Sequence, residues 1–99
     1  MQFSAVYIIT NKNHTVLYTG VTSNLVKRIY QHKTKAYIGF SSIYNCDQLV
    51  YFKEFSSIIE AISYEKKLKA GSRANKEKLI NSLNPEWKDL SDGWVFNFN

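Results

Sequence analysis

Two short apolar runs near the start of the chain, residues 5–10 and 16–22, are separated by a polar break. Both runs are rich in β-branched and aromatic residues, which favour strands. The break, residues 11–14, consists of residue types that form turns. The pattern therefore predicts a β-hairpin. If the turn is symmetric about this break, Tyr7 and Tyr18 are direct cross-strand neighbours, with Cβ atoms ~5 Å apart.

The next part of the pattern predicts a helix and a third strand. Ser23 and Asn24 are good N-cap residues and directly precede a segment, residues 25–33, that we expect to be helical. Residues 34–42 contain glycine, serine and threonine and are typical of a loop. The apolar run at residues 48–52 then predicts the third strand.

Two helical segments follow the third strand. Ser57 and Glu60 have the spacing of a capping box and predict a second helix that begins beside them. A Gly-Ser pair at residues 71–72 interrupts this pattern, and a helical pattern resumes over residues 73–83 until an Asn-Pro pair ends it. The order of elements predicts an α+β fold, a three-stranded antiparallel sheet flanked by helices.

The C-terminal residues 86–99 form an aromatic extension. They include Trp87, Trp94, Phe96 and Phe98. This content is too aromatic for a free tail, so we expect at least the first part to dock on the body of the protein. With 99 residues the whole chain, 1–99, is expected to be a single domain.

Composition excludes several classes of protein. A hydrophobic content of 44% is that of a folded globular chain. No apolar run approaches the ~20 residues of a membrane helix, and no leader pattern is present, so the expectation is a cytoplasmic protein without a membrane. The lone Cys46 cannot form an internal disulfide, and no Cys/His spacing of the zinc type occurs.

The positive charge of the chain is clustered. The net charge is +5, with four cations and no acid in residues 27–35, and six cations and two acids in residues 65–78. Clusters of this kind are expected of a protein that binds a phosphate backbone, although a solvated basic surface gives the same count. The candidate phosphate contacts are Lys27, Lys33, Lys69, Arg73 and Lys76. Nothing resembles a base-reading module, so sequence specificity is expected to be low.

Glu65 is the most informative single position. At 100° per residue it falls on the same line of its helix as Ile58, Ile62 and Lys69, which places a carboxylate on an apolar stripe. A lone carboxylate is costly to bury unless it is paired or holds a cation. A salt bridge to Lys69 satisfies it, and so does Mg²⁺ or Mn²⁺, for which carboxylate oxygen is a suitable ligand.

Arg28 and His32 lie four residues apart on the first predicted helix and can act together. Phosphodiester hydrolysis develops negative charge on the non-bridging oxygens, and guanidinium matches that charge well. A surface or phosphate-positioning cation is the alternative for Arg28. For His32 the alternatives are a buried hydrogen-bonded residue, a group near the leaving oxygen, or a group that orients a tyrosine.

Taken together, these positions resemble the GIY-YIG nuclease superfamily, and specifically its small single-domain bacterial members related to the N-terminal nuclease domain of the excision-repair nuclease (excinuclease). The resemblance covers residues ~4 to 90. The positions that carry it are Ala5, Val6, Tyr7, Tyr18, Thr19, Gly20, Arg28, His32 and Glu65. The first motif keeps only its tyrosine, the second has threonine at its middle position, and Tyr64 precedes Glu65 where arginine is common.

The resemblance implies a metal-dependent endonuclease that hydrolyses phosphodiester bonds in DNA, branched or damaged DNA included, for repair or processing. It assigns one divalent metal to Glu65, charge stabilisation to Arg28, and activation of water to Tyr7, Tyr18 and His32. A phenol with the ordinary pKa of ~10 is a poor base at neutral pH, so its neighbours must lower that value. Either tyrosine can be this base.

Four points stay open in the sequence. Gly20 either lets the substrate backbone approach the strand end or marks a bulge. Neither Asn81 nor Asn84 aligns with the asparagine that family members often place after the glutamate helix. The alternatives to an endonuclease are a catalytically inactive DNA- or RNA-binding module of the same fold and an interaction protein that recruits partners through its C-terminal aromatics. The oligomeric state is undetermined.

Overall fold

The computed structural model describes residues 3–36 and 39–97 as a three-stranded sheet with four helices. The elements are β1 (Ser4–Thr10), β2 (Leu17–Thr22), α1 (Leu25–Lys33), α2 (Phe40–Ile43), β3 (Gln48–Phe55), α3 (Ile58–Ala70) and α4 (Arg73–Leu83). The strand order is β2-β1-β3, and both pairings are antiparallel. The predicted α+β class is confirmed. Every residue of the central strand β1 is buried, because both faces of the sheet are covered.

One face of the sheet is covered by α3 and α4. Val6 and Ile8 of β1 lie here and belong to a buried cluster that includes Ala61 and Leu68 of α3 and Ile80 of α4. In α3 the buried line is therefore Ala61 and Leu68, with Tyr64 half-buried beside them. An aliphatic cluster of this size supplies the hydrophobic stabilisation that a chain without a disulfide requires.

The opposite face carries both tyrosines of the predicted site. Tyr7 and Ile9 of β1 form a second buried cluster with Ile29 of α1, and Tyr18 of β2 packs against it. The aromatic rings of Trp94 and Phe96 lie against the same cluster. These two C-terminal aromatics are thus part of the hydrophobic interior of the domain. Phe98 lies outside the described residues.

Asp89 fastens the C-terminal segment to the body of the protein. Its carboxylate accepts hydrogen bonds from the Lys33 ammonium at 2.7 Å and from the Leu49 backbone N–H at 3.1 Å. Burial alone would raise the pKa of Asp89, but the hydrogen bonds from Lys33, Ser91 and Leu49 outweigh it and hold this pKa below its usual value. The ion pair with Lys33 and the hydrogen bond from Leu49 therefore hold the segment in addition to its aromatic packing.

The helix starts follow the capping residues. The Asn24 side chain accepts a hydrogen bond from the Lys27 backbone N–H at 3.1 Å, and Ser57 accepts one from Glu60 at 3.4 Å. Both contacts satisfy N–H groups that the first turn of a helix leaves unpaired. The predicted helices at residues 25–33 and 73–83 agree with α1 and α4. No helix in the described part of the chain is long and apolar enough to cross a membrane.

Three details of the sequence prediction are wrong. The segment predicted as loop contains the short helix α2, and β3 extends three residues beyond the predicted Phe52. The hairpin register is also different, because Tyr7 faces Gly20 and Tyr18 faces Ile9. The two tyrosines are therefore diagonal neighbours and not direct ones.

The connection between β1 and β2 explains this register. The Asn11 side-chain oxygen accepts hydrogen bonds from the backbone N–H groups of Thr15, at 2.8 Å, and Val16, at 3.1 Å. These contacts keep both residues in the loop, so the connection is two residues longer than the polar pattern indicates. A shift of two residues preserves the face on which each side chain lies. Tyr7 and Tyr18 consequently remain on the same face of the sheet.

Candidate active site

Tyr7 lies fully buried at the centre of the candidate site. Its hydroxyl is 2.8 Å from His32 Nε2, and the two ring centroids are 5.5 Å apart. The residue opposite on β2 is Gly20, and a Cβ added there would lie 2.5 Å from Tyr7 Cζ. The glycine is therefore required to make room for the Tyr7 ring. The sequence did not indicate this packing role, and an approach of substrate at Gly20 stays a prediction beside it.

Substitution of Gly20 by alanine should displace the Tyr7 ring and destabilise the protein by about 1–3 kcal/mol, as over-packing of a core does. Thermal unfolding measures this effect. Gly71→Ala is the matched control, because a Cβ at position 71 would approach no atom closer than 3.3 Å. Equal unfolding temperatures for wild type and Gly20→Ala would contradict the packing role of this glycine.

His32 connects Tyr7 to a residue that the sequence analysis missed. Its Nδ1 lies 3.0 Å from the Ser41 hydroxyl of α2, and both side chains are buried. Burial first, and the positive charge of Arg28 second, lower the pKa of His32 to about 4. The imidazole is therefore neutral at pH 7, with one N–H donor and one acceptor nitrogen to share between Tyr7 and Ser41.

The low pKa of His32 makes the stability of the fold depend on pH. The imidazole takes up a proton near pH 6.5 in the unfolded chain but only near pH 4 in the folded protein. Between these values the unfolded state binds more protons, so the free energy of unfolding should fall as the pH is lowered from about 6.5 to 4. Urea unfolding at several pH values measures this slope. In His32→Gln the decline over this range should be shallower, and an identical decline would contradict a buried neutral imidazole.

Tyr18 reaches the same imidazole from the edge strand β2. Its ring meets the edge of the His32 ring with centroids 5.6 Å apart, and the ring itself is only half-buried. The Lys69 ammonium of α3 lies 5.9 Å from the Tyr18 centroid on the open side. Tyr7 and Tyr18 thus share His32 as a common neighbour, but only Tyr18 is accessible to solvent.

Glu65 lies at the border between the core and the open side of α3. Its side chain is 13% exposed, and its carboxylate forms a salt bridge of 3.7 Å with Lys69. The apolar stripe predicted for this helix is not buried, since Ile58 and Ile62 are 42% and 39% exposed. Helix α3 instead turns Ala61 and Leu68 to the sheet, and at 100° per residue Glu65 lies about 40° from Ala61 around the helix. The carboxylate therefore borders the buried side of the helix, in agreement with its small exposed fraction.

Glu65 fits the way in which Mg²⁺ is often bound. Within residues 3–36 and 39–97, no three His, Cys, Asp or Glu side chains are grouped closely enough to enclose a metal ion. A single carboxylate whose other ligands are water and substrate phosphate suits Mg²⁺, which retains several waters in such sites. The donor set is suitable for Mg²⁺ or Mn²⁺ and unsuitable for a structural zinc.

Arg28 lies one helical turn before His32 on α1 and is half-buried. Its charge is close enough to influence the His32 pKa. The helix begins at an Asn24 cap, and the Arg28 backbone N–H donates to the Asn24 carbonyl at 3.0 Å. Capping thus fixes the helix turn that brings a guanidinium beside the buried imidazole.

Four of the five predicted phosphate contacts have protein partners, and one of the four is Lys69, which pairs with Glu65. Lys33 binds Asp89, the Arg73 guanidinium donates to the carbonyls of His14 and Thr15, and the Lys76 ammonium donates to the Gly71 carbonyl. The prediction was based on charge alone, and these cations stabilise helix ends and loops. All five stay predicted phosphate contacts, and Lys27, Lys69 and Arg73 are the exposed ones among them.

The asparagines after α3 also have internal partners. The Asn84 side chain is buried and donates to the carbonyls of Val50, at 3.2 Å, and Lys88, at 2.7 Å. The Asn81 oxygen accepts from the Trp87 indole N–H at 2.7 Å. Both residues hold the C-terminal segment, and neither is assigned to the candidate metal site.

The structure is thus a small α+β domain in which Tyr7 and Tyr18 both contact His32. Arg28 lies one helical turn before His32, and Glu65 pairs with the Lys69 that lies over the Tyr18 ring. The family model for the GIY-YIG catalytic domain matches residues 3–78. The chain belongs to the GIY-YIG family, which is a family of nucleases.

Relatives and a solved structure agree with this assignment. A UPF0213 protein of Staphylococcus saprophyticus is 36% identical over 75 residues, which cover 76% of this chain and 90% of that protein. A UPF0213 protein of Natronomonas pharaonis is 32% identical over 75 residues, covering 76% and 87%. The solution NMR structure of a UPF0213 protein from Bacillus halodurans is similar with a TM-score of 0.57 and 26% identity, covering 95% of this chain and 99% of that one.

Proposed function

We propose that this protein is an endonuclease that hydrolyses phosphodiester bonds in DNA with one divalent metal ion bound at Glu65. A role in DNA repair or processing, with little sequence preference, is part of the proposal. The observation that carries it is the cluster in which Tyr7 and Tyr18 share His32 while Arg28 lies beside them. Membership of a nuclease family supports the same reaction.

Tyr18 is proposed as the general base because it alone of the two phenols reaches solvent. A base must lie within hydrogen-bonding reach of the water that it deprotonates. The Lys69 ammonium, 5.9 Å from the ring centroid, places a positive charge beside the proposed base. The Tyr18 oxygen would take the proton as the water oxygen attacks phosphorus and the bond to the leaving oxygen breaks.

A buried hydrogen-bonded network is proposed to position this base and the arginine. Its members are Tyr7, His32 and Ser41. Their hydrogen bonds of 2.8 and 3.0 Å are buried, so they hold the imidazole against the Tyr18 ring in one orientation. Arg28 would stabilise the charge that develops on the non-bridging phosphate oxygens. A metal ion at Glu65 would supply further neutralisation of that charge.

Nicking of supercoiled plasmid DNA tests the proposed function. The wild-type protein should convert supercoiled to relaxed DNA in Mg²⁺ or Mn²⁺, and EDTA should stop the conversion. A protein that binds DNA but produces no nicks under any of these conditions would be a binding module of the same fold. Cleavage that continues in EDTA would contradict the metal requirement.

A further inference from the structure

A row of aromatic rings leads from the buried imidazole to the surface. Tyr18 contacts the His32 ring and, on its other side, the Phe40 ring of α2, with centroids 6.1 Å apart and planes inclined by 26°. Phe40 in turn lies 4.7 Å from the Tyr44 ring. The last two rings of the row belong to neither hydrophobic cluster of the core.

The two outer rings of the row are exposed, one on α2 and the other on the residue that follows it. Phe40 is 50% exposed and Tyr44 is 47% exposed. By contrast, Trp94 and Phe96 at the other end of the same sheet face are packed against the core. Two neighbouring exposed rings offer flat apolar faces on which a planar ligand such as a nucleobase can stack.

Cations flank this row of rings. The Lys69 ammonium lies over the Tyr18 ring, and the Lys35 ammonium is held at 2.6 Å by the side chain of Asn45, the residue after Tyr44. Residues 39–46 contain no acidic side chain. Aromatic faces bordered by positive charge are the combination by which proteins bind single-stranded nucleic acid, with bases on the rings and phosphates on the cations.

We propose that Phe40 and Tyr44 form a stacking platform for an unpaired nucleobase next to the bond that is cut. The inference rests on the proposed function and specifies its substrate class, which is DNA with unpaired nucleotides at the cleavage site. Bases within an intact duplex are stacked on one another and offer no free face to a protein ring. Single strands, flaps and loops do offer one.

Fluorescence of 2-aminopurine in a short DNA strand tests the platform, because stacking on an aromatic ring quenches this base. The measurement uses the full chain with Glu65→Gln and no divalent metal, so that no cleavage takes place. The single strand should bind with quenching, and Phe40→Leu and Tyr44→Leu should each weaken binding by roughly 10- to 100-fold. Phe40→Tyr and Tyr44→Phe, which keep the rings, should bind like the parent protein.

Ile43→Ala is the matched control, because Ile43 is on the same short helix and is 70% exposed but has no ring. It should leave binding and quenching unchanged. Thermal unfolding of each variant identifies a loss of fold. If Phe40→Leu unfolds, Tyr44→Leu tests the proposal alone, since Tyr44 lies at the outer end of the row.

The platform is contradicted if the leucine variants bind the single strand as tightly as the parent, or if only Ile43→Ala weakens binding. It is also contradicted if addition of the protein lowers the fluorescence of the label by as large a fraction in a fully paired duplex as in the single strand. These results are independent of hydrolysis. Stacking without any cleavage by the wild-type protein would contradict the proposed function alone, whereas cleavage without stacking would contradict the platform alone.

Discussion

Replacement of Glu65 by glutamine should abolish metal-dependent cleavage of DNA while leaving the fold and the affinity for DNA nearly unchanged. Glutamine keeps the volume and hydrogen-bonding capacity of the side chain but removes the charge that attracts a divalent cation. The salt bridge that is lost joins Glu65 to a Lys69 side chain that is 55% exposed, and an exposed helix pair of this kind contributes little to stability. Plasmid nicking at saturating Mg²⁺, with thermal unfolding of the same preparation, measures both effects.

Lys69→Met is the control for this prediction. It breaks the same salt bridge but leaves the Glu65 carboxylate in place. If Glu65 binds metal, Lys69→Met should retain substantial cleavage, with some loss because Lys69 lies near the Tyr18 ring. If Glu65 serves only as an ion-pair partner, both variants should behave alike, and Glu65→Gln should still nick DNA.

Tyr18→Phe should lower the rate of cleavage by roughly 10²- to 10⁴-fold, the range that a positioned general base contributes. Substrate affinity should change little, because the ring and its contacts with His32 and Phe40 remain. Single-turnover cleavage with enzyme in excess measures the chemical step directly. A wild-type rate for Tyr18→Phe across pH 6 to 9 would exclude Tyr18 as the base.

Tyr7→Phe is the informative comparison, since it removes the other phenol. The Tyr7 hydroxyl is buried and bonded to His32, so its loss leaves a ring nitrogen without this partner and should destabilise the fold by about 1–3 kcal/mol. The rate should also fall, through the orientation of His32. Because both phenols act on one network, the double variant should be little worse than Tyr18→Phe, whereas multiplication of the two effects would show that they act independently.

The secondary structure of this chain could be predicted where local chemistry determines it. Asn24 and Ser57 cap their helices in the way that their side chains and positions indicate. The face of α3 that is buried could not be read from hydrophobicity, because Ile58 and Ile62 stay exposed while Ala61 packs on the sheet. The small side chain of Ala61 allows a close approach of helix and strand that larger residues would prevent.

The residues of the candidate site stay a prediction from the sequence, and their geometry could not be read from it. That geometry depends on the Asn11 contacts that lengthen the hairpin loop and on the Ser41 contact with His32. The first are local contacts and the second joins α1 to α2, and neither follows from a periodic pattern. Ser41 lies in a segment whose glycine and serine content is typical of a loop, and only the fold brings it to the imidazole.

Charge counts were the least informative guide to the site. Lys33 and Arg73 belong to the basic clusters of the sequence, yet their charges are bound to Asp89 and to backbone carbonyls of the hairpin loop. A side chain with an internal partner must give up that contact before it binds phosphate. The same holds for Lys69, which pairs with Glu65. Lys27 and Lys69 lie on the two helices that also carry Arg28 and Glu65.

The most direct test of this account is a crystal structure of Tyr18→Phe with Mn²⁺ and a short DNA strand, in which anomalous scattering locates the metal. We expect one Mn²⁺ bound to the Glu65 carboxylate. A phosphate of the strand should lie between the metal and the Arg28 guanidinium, and the ring at position 18 should face that phosphate. Mn²⁺ bound elsewhere, or a strand held on another face of the domain, would contradict it.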